Sequence, residues 1–479
     1  MENYKDKNDN NIKGRSGILI AGDISVVEIL LWTIILLPIE IIISGAGVCF
    51  TDIGLFAGTS YIWIFLVKRL RSYSDISEKN IYCIQDFLYA RYSSVFLKKL
   101  ISLIWIILLG TISGAVLMFM SNITGQFTGE NSSLIMYGIM LLVVGISLFK
   151  GRVMSILKSL IYLATVIICI AMIVILFIQN TPAELLDIYR CARLPGGTSI
   201  YLNIMYMDGK PIAVLKLINM LAVGFGCMGL PIMFEGAFTA KDLHELDKGR
   251  VLSIIYTGLL VIILSVWALL SITCIYPEKV SENGDIYKLI SMFIAALFSD
   301  FAYTGIIRTI IFIIFGVSVL FIFETNITAM AGMVEDLVWA DKGKLSAHVK
   351  LITDIIALLL VVSASYIFSR NCSSDYSIVI KAAWSFCEAI AAPVILSILW
   401  ERSSKTGIIS GILSGILVTA VWSWVPVRYG NSLTDITGID AGIAGFIIAF
   451  IVTIIFSNIL RNNDLDEMEV FRKMRNEQK

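Results

Sequence analysis

Charge is scarce in this sequence. Lys and Arg number 37 and Asp and Glu 37 in 479 residues, 15% in all, and the formal net charge is zero. With no basic excess and no basic cluster, the chain lacks the electrostatic footprint of a nucleic-acid binder. Histidine is scarcer still: only His244 and His348, both in short polar stretches. The eight cysteines show no CxxC spacing. These absences disfavour a zinc site or a histidine-based catalytic site within the apolar body, and no nucleophile–base or metal arrangement marks an enzyme. No metal and no cofactor is expected on these residues. The N-terminal stretch MENYKDKNDNNIKGRSG lacks the basic-then-apolar-then-small pattern of a cleaved signal, so the first apolar run is expected to stay.

What the chain has is hydrophobic length. Apolar residues make up 57% and the mean hydropathy is +0.85. A soluble core of this size does not bury so much, and the runs recur from end to end, so the fold class is an all-α polytopic membrane protein. A helix must run about 20 residues to cross a hydrocarbon core of about 30 Å. Twelve stretches qualify, numbered here helices 1–12: 18–44, 53–69, 95–120, 133–149, 155–178, 212–238, 251–275, 302–332, 349–369, 378–400, 406–427 and 438–460. Lys68, Arg69, Lys98, Lys150, Arg152, Lys241, Arg250 and Arg402 fall on one side and few basic residues on the other. The asymmetry predicts a cytoplasmic segment 1–17, one transmembrane domain over 18–460 and a cytoplasmic tail 461–479, in the cell membrane.

Three connections and one helix stand out. CIQDFLYARYSS, 83–94, reads as a short amphipathic helix on the cytoplasmic surface. Gln179–Pro211 is long enough for a lid, and equally for a plain solvated loop. Ser281–Asp300 reads as an outer surface helix. Helix 6 contains GFGCMGLP, Gly224–Pro231. Glycine costs a helix about 1 kcal/mol and proline about 3. The cluster predicts unwinding at mid-membrane, or else close packing of helices through small residues.

Charge inside helices needs a partner or a function, because an ionised side chain at the bilayer centre is costly. Helix 1 carries Glu28 and Glu40, helix 6 Glu235, helix 8 Arg308 and Glu324, helix 10 Lys381 and Glu388. Glu40 and Arg308 lie in outer halves and are candidates for an ion pair. Glu28 and Glu324 lie deeper, have no evident cation, and read either as acids that gain and lose a proton together or as neutral, hydrogen-bonded structural groups. Lys381, Ser385 and Glu388 share one helical face, expected to line a vestibule or to make structural bridges. Trp32, Phe225 and Met228 are candidate substrate contacts, with packing the other reading.

Several stretches resemble, in order, the sodium:solute symporter family, most closely its sodium/proline symporters. They are GRS at Gly14–Ser16, SVVEILLW at Ser25–Trp32, CIQDFLYARYSS, AFTAKDLHELDKGRVLS at Ala237–Ser253, VEDLV at Val334–Val338 and LSILWERSSKTGIISGILSGILVTAVW at Leu396–Trp422. The resemblance implies a LeuT-type bundle: a 5+5 inverted repeat over about 18–178 and 212–400, with helices 1 and 6 broken at the binding site and two peripheral C-terminal helices. It implies a secondary transporter of a small organic solute, such as an amino acid or small carboxylate. Glu28 falls on the family's first-helix Asp. Leu320 and Phe321 fall on the Ser-Thr pair with which helix 8 ligates sodium, and neither side chain offers an oxygen. Sodium, the only ion implied, thus loses two ligands, and coupling to sodium, to protons or to nothing stays open. The bulky residues around Glu28 predict a helix 1 less unwound than helix 6. The partners implied are a small solute and the lipid bilayer. The other reading is a transporter-derived membrane sensor or interaction protein.

Overall fold

The computed structural model describes residues 14–23, 27–77, 81–128, 132–148, 152–192, 194–275, 297, 304–338, 347–371, 375–424, 432–460 and 470–474; the side chains at 28, 122–128, 132–135, 304, 347, 350 and 371 fall outside that description. Among the described residues nine helices are long and apolar enough to cross a membrane. They are Ala46–Ile76, Val95–Ser121, Arg152–Gln179, Leu243–Cys274, Gly305–Val338, Leu351–Arg370, Tyr376–Leu399, Lys405–Trp424 and Ala441–Ile459, forming helices 2, 3, 5 and 7–12. Val214–Gly229 and Pro231–Thr239 make a bent pair, helix 6, while Leu31–Ser44 and Met136–Ser147 are the apolar parts of helices 1 and 4. The twelve elements coincide with the twelve apolar stretches of the sequence. The outer helix expected over Ser281–Asp300 lies, apart from Leu297, outside the described residues.

Helix 1 begins as Gly17–Asp23 and is helical again from Val27 to Ser44, with a wide turn over Leu31–Leu36. Pro38 explains the wide turn. It has no N–H to give, and its ring crowds the carbonyl four residues back. The chain widens before it, and the Leu37 N–H reaches back to Trp32 O, five residues away.

Helix 6 bends by 68°. The bend falls at Leu230, whose backbone is extended (φ −95°, ψ 130°) between Gly229 and Pro231. Both readings of the glycines apply. The break lies inside Gly224–Pro231, and a Cβ on Gly226 would collide with the Trp384 indole, one on Gly229 with the Cys387 carbonyl, so helix 10 packs directly on the helix 6 backbone.

The long connection 179–214 is ordered and docked. It holds Pro182–Cys191, opened by a Thr181–Glu184 capping box, and a small hairpin, Tyr206–Met207 with Lys210–Pro211. Buried Tyr201 donates to Ile41 O and Ile42 O, both at 3.0 Å, and Tyr189 donates to Leu269 O at 2.6 Å. These hydroxyls tie the connection to the end of helix 1 and to helix 7.

On the opposite, basic face the helix Ile84–Tyr92 forms as expected. It is more than a surface amphipath. Buried Arg91 donates to Trp400 O (2.7 Å) and Ser403 Oγ (3.0 Å), tying it to the turn between helices 10 and 11. The tail segment 470–474 folds back onto the same place: the Arg91 guanidinium lies 3.9 Å from the Phe471 ring centroid, and Arg472 Nε is 2.7 Å from Glu401 Oε1.

Arg91→Ala removes donors from a backbone carbonyl and a hydroxyl, whereas Arg472→Ala removes one half-exposed ion pair, worth about 0–1 kcal/mol. Arg91→Ala is therefore expected to lower the thermal unfolding midpoint in detergent clearly more than Arg472→Ala does.

Candidate functional site

The break in helix 6 is enclosed by three tryptophans from three other helices. From helix 3, Trp105 Nε1 donates to Gly229 O at 2.8 Å. From helix 10, Trp384 Nε1 donates to Val223 O at 2.8 Å. From helix 1, Trp32 meets Trp384 edge to face, with ring centroids 5.2 Å apart. The first bond caps a carbonyl at the break; the second adds to Val223 O, which also accepts the Gly226 N–H at 3.1 Å. Trp32 is 3% exposed, and its Nε1 has no hydrogen-bond partner among the described residues. Met228 is buried in the same core.

The polar stripe on helix 10 does not line a single vestibule. Lys381 pairs with Glu40 of helix 1. This corrects the expected Glu40–Arg308 pair: Arg308 is exposed, and helix 10 rather than helix 8 brings the cation to Glu40. Ser385 Oγ donates to Lys381 O of its own helix at 3.1 Å. Glu388, 5% exposed, turns away to helix 12, where Gly442 leaves the room its carboxyl occupies. Phe225 is likewise committed to helix 12. It stacks on Phe446 with centroids 4.3 Å apart and planes 16° apart. The physical reason is shared: helix 12 packs along helix 10 and beside the first half of helix 6, on the side these residues face.

A second buried cluster joins helices 5 and 8. Lys158 Nζ lies 2.5 Å from Glu324 Oε2 and donates to Thr325 Oγ1 at 2.8 Å. Thr328 Oγ1 donates to Glu324 Oε1 at 2.8 Å. The residues are 8% (Lys158) and 3% (Glu324) exposed, so the pair is inside the protein. The expectation that Glu324 lacks a cation is thus corrected. Lys158 was missed because it sits near the basic end of helix 5, where lysines count toward orientation. The signal was its register: Lys158 and Thr165 are seven residues apart on one face, and Thr165 Oγ1 meets Ser318 Oγ of helix 8 at 2.7 Å. One turn before Glu324, Leu320 and Phe321 are buried, the latter against Tyr162 at 6.5 Å between ring centroids. Helix 1 approaches helix 8 through Val27–Leu30, which contains Glu28; that side chain lies outside the described residues. Glu235 opens the last turns of helix 6, Glu235–Thr239. Two further buried acids escaped notice. Asp52 of helix 2 accepts from Ser265 Oγ at 2.6 Å, and Asp23 is 3.3 Å from Arg15.

On the basic face Cys83, Asp86 and Asp336 lie close enough together to suggest a metal cluster. Their chemistry argues otherwise. The Lys98 ammonium sits on both carboxylates, 2.7 Å from Asp86 and 3.7 Å from Asp336. Burial and the two carboxylates push the Cys83 thiol well above its ordinary range.

No known family profile matches the chain. It is weakly homologous to sodium/proline symporters: those of Staphylococcus aureus strains JH9 and Newman are 24% identical over 262 residues, 53% of this chain and 49% of theirs. The chain thus spans about half the length of the curated relatives it matches. A sodium-coupled sialic acid symporter, solved substrate-bound and outward-open, superimposes with a TM-score of 0.71 at 12% identity, over 95% of this chain and 93% of that one. A nucleobase-cation-symport-1 family transporter with bound bromovinylhydantoin superimposes with a TM-score of 0.57 at 10% identity, over 97% and 99%. The fold is the LeuT-type bundle, and its relatives and neighbours are transporters rather than enzymes.

Removing one member of a buried ion pair costs about 3–5 kcal/mol, whereas replacing both by apolar residues is often neutral. Lys158→Met and Glu324→Leu are each expected to destabilise by that amount, and the double variant to recover most of it, read from unfolding midpoints in detergent.

Proposed function

We propose that this chain is a secondary transporter that moves a small organic solute across the cell membrane by alternating access, with both termini in the cytoplasm. The observation that carries the reading is the 68° break of helix 6 at Leu230, enclosed by helices 1, 3 and 10. A broken helix at the bundle centre sets aside backbone polar groups and side chains for a ligand, which a purely structural bundle does not need. An amino acid or a small carboxylate is the solute class.

We further propose that sodium is not required. The helix 8 positions that would ligate it are Leu320 and Phe321, and the positive charge beside them is already present as the Lys158 ammonium, bonded to Glu324 and Thr325. A cation bound covalently does not exchange, so it cannot carry a sodium gradient. Glu28, which falls on the first-helix Asp of the resembling family, is the group proposed to titrate.

The test is uptake of labelled amino acids and small carboxylates into proteoliposomes under sodium and proton gradients in turn. Saturable uptake that ignores sodium and changes with pH is expected, with the pH response lost in Glu28→Gln. Saturable sodium dependence with little pH response would overturn the coupling proposal. Absence of uptake, together with ligand-induced stabilisation of the protein, would favour the sensor reading.

A further inference from the structure

The break in helix 6 presents hydrogen-bonding groups of two kinds, and their states differ. A cation would be held there by carbonyl oxygens. Val223 O and Gly229 O, the carbonyls on either side of the Gly224–Met228 turn, each already accept an indole N–H at 2.8 Å. Among the side chains around the break, the polar atom left over is a donor. Trp32 Nε1 is buried and has no acceptor among the described residues. The edge-to-face contact with Trp384 fixes the Trp32 ring, so the N–H is not free to swing to a nearby carbonyl. The ring also stands in the wide turn Leu31–Leu36, an irregularity frequent at functional sites. A buried donor without an acceptor is destabilising in the empty protein and is satisfied when an acceptor arrives.

We propose that Trp32 Nε1 donates to a carboxylate oxygen of the transported solute, and that this contact selects anionic or zwitterionic carboxylates over uncharged solutes. The proposal rests on the transporter reading above. The surroundings, Trp384 and Met228, are apolar, which suits a compact solute whose body is apolar and whose carboxylate is its main polar group.

The experiment uses the full chain in proteoliposomes and two labelled panels. One holds the twenty L-amino acids, short mono- and dicarboxylates and N-acetylated sugar acids; the other holds uncharged sugars, polyols, nucleobases and cyclic ureides. Uptake of at least one carboxylate is expected. Trp32→Phe, which keeps the ring and deletes the donor, is expected to raise its KM roughly 10- to 100-fold, the span of a hydrogen bond to a charged group, with kcat little changed. Independently of any variant, the methyl ester of that solute should compete with it at the wild-type protein more weakly by a similar factor. The unfolding midpoint of empty Trp32→Phe should equal or exceed that of wild type, because an unsatisfied donor is gone. An unchanged KM in Trp32→Phe, or an ester that competes as well as the acid, would overturn the proposal. So would uptake from the uncharged panel alone, which would leave the transporter reading standing. Uptake from neither panel would overturn both.

Discussion

Lys158 and Glu324 meet inside the protein at 2.5 Å, and much of the bundle is arranged around the need to satisfy such groups without water. An ammonium and a carboxylate cannot both be buried apart. Held together, with Thr325 and Thr328 taking further bonds, they form a neutral unit that joins helix 5 to helix 8. The same constraint recurs at Lys381–Glu40 between helices 10 and 1, and at Arg15–Asp23 at the base of helix 1. At Lys158–Glu324 and Lys381–Glu40 the charge sits where two helices meet, so these pairs fix which faces touch. Apolar contacts alone, with lipid as apolar as leucine, specify this poorly.

The backbone obeys the same rule at helices 1 and 6. Pro38 removes a donor from helix 1, and the chain responds with a wide turn that keeps the Leu37 N–H bonded. Gly229 and Pro231 open helix 6, and indoles from helices 3 and 10 bond the carbonyls of Gly229 and Val223 on either side of the glycine-rich turn. Tryptophan suits the task. It brings one donor on a large apolar ring, so capping the carbonyl adds no new unsatisfied acceptor. Of the three tryptophans there, only Trp32 is left with its donor unspent.

How much of this the sequence discloses depends on range. The apolar stretches, the break at Gly224–Pro231 and the helix at Ile84–Tyr92 are legible because each rests on residues adjacent in the chain: long hydrophobic runs, glycines beside a proline, and a short alternation of apolar and charged residues. The pairings are not. Whether Glu40 meets Arg308 or Lys381 depends on which helix stands next to helix 1 and how it is rotated. Spacing along helix 10 places Lys381, Ser385 and Glu388 on one face but does not reveal that helix 12 covers its lower part, drawing Glu388 toward Gly442. Lys158 was legible only in relation to Thr165, seven residues on, and to the polar residues of helix 8 that both meet.

The two halves of helix 6 have different hydrogen-bonding partners, although both pack on helix 2, Gly54 and Gly58 against the first half and Trp63 against the second. The first half is fastened to helices 10 and 12: Trp384 bonds Val223 O, Phe225 stacks on Phe446, and Asn219 Nδ2 donates to Gly438 O at 2.7 Å. The second half is fastened at the basic face: Gly14 and Arg15 N–H groups bond Thr239 O at 3.1 Å, and Arg71 donates to Ala240 O at 2.6 Å. Few bonds cross Leu230 itself; its N–H reaches Cys227 O at 3.4 Å, a long bond. With an extended residue between two anchored halves, the weakest backbone bond falls at the junction. If the two faces open in turn, as proposed, the change in φ and ψ falls on Leu230, because elsewhere along helix 6 each turn would have to release a partner on another helix first.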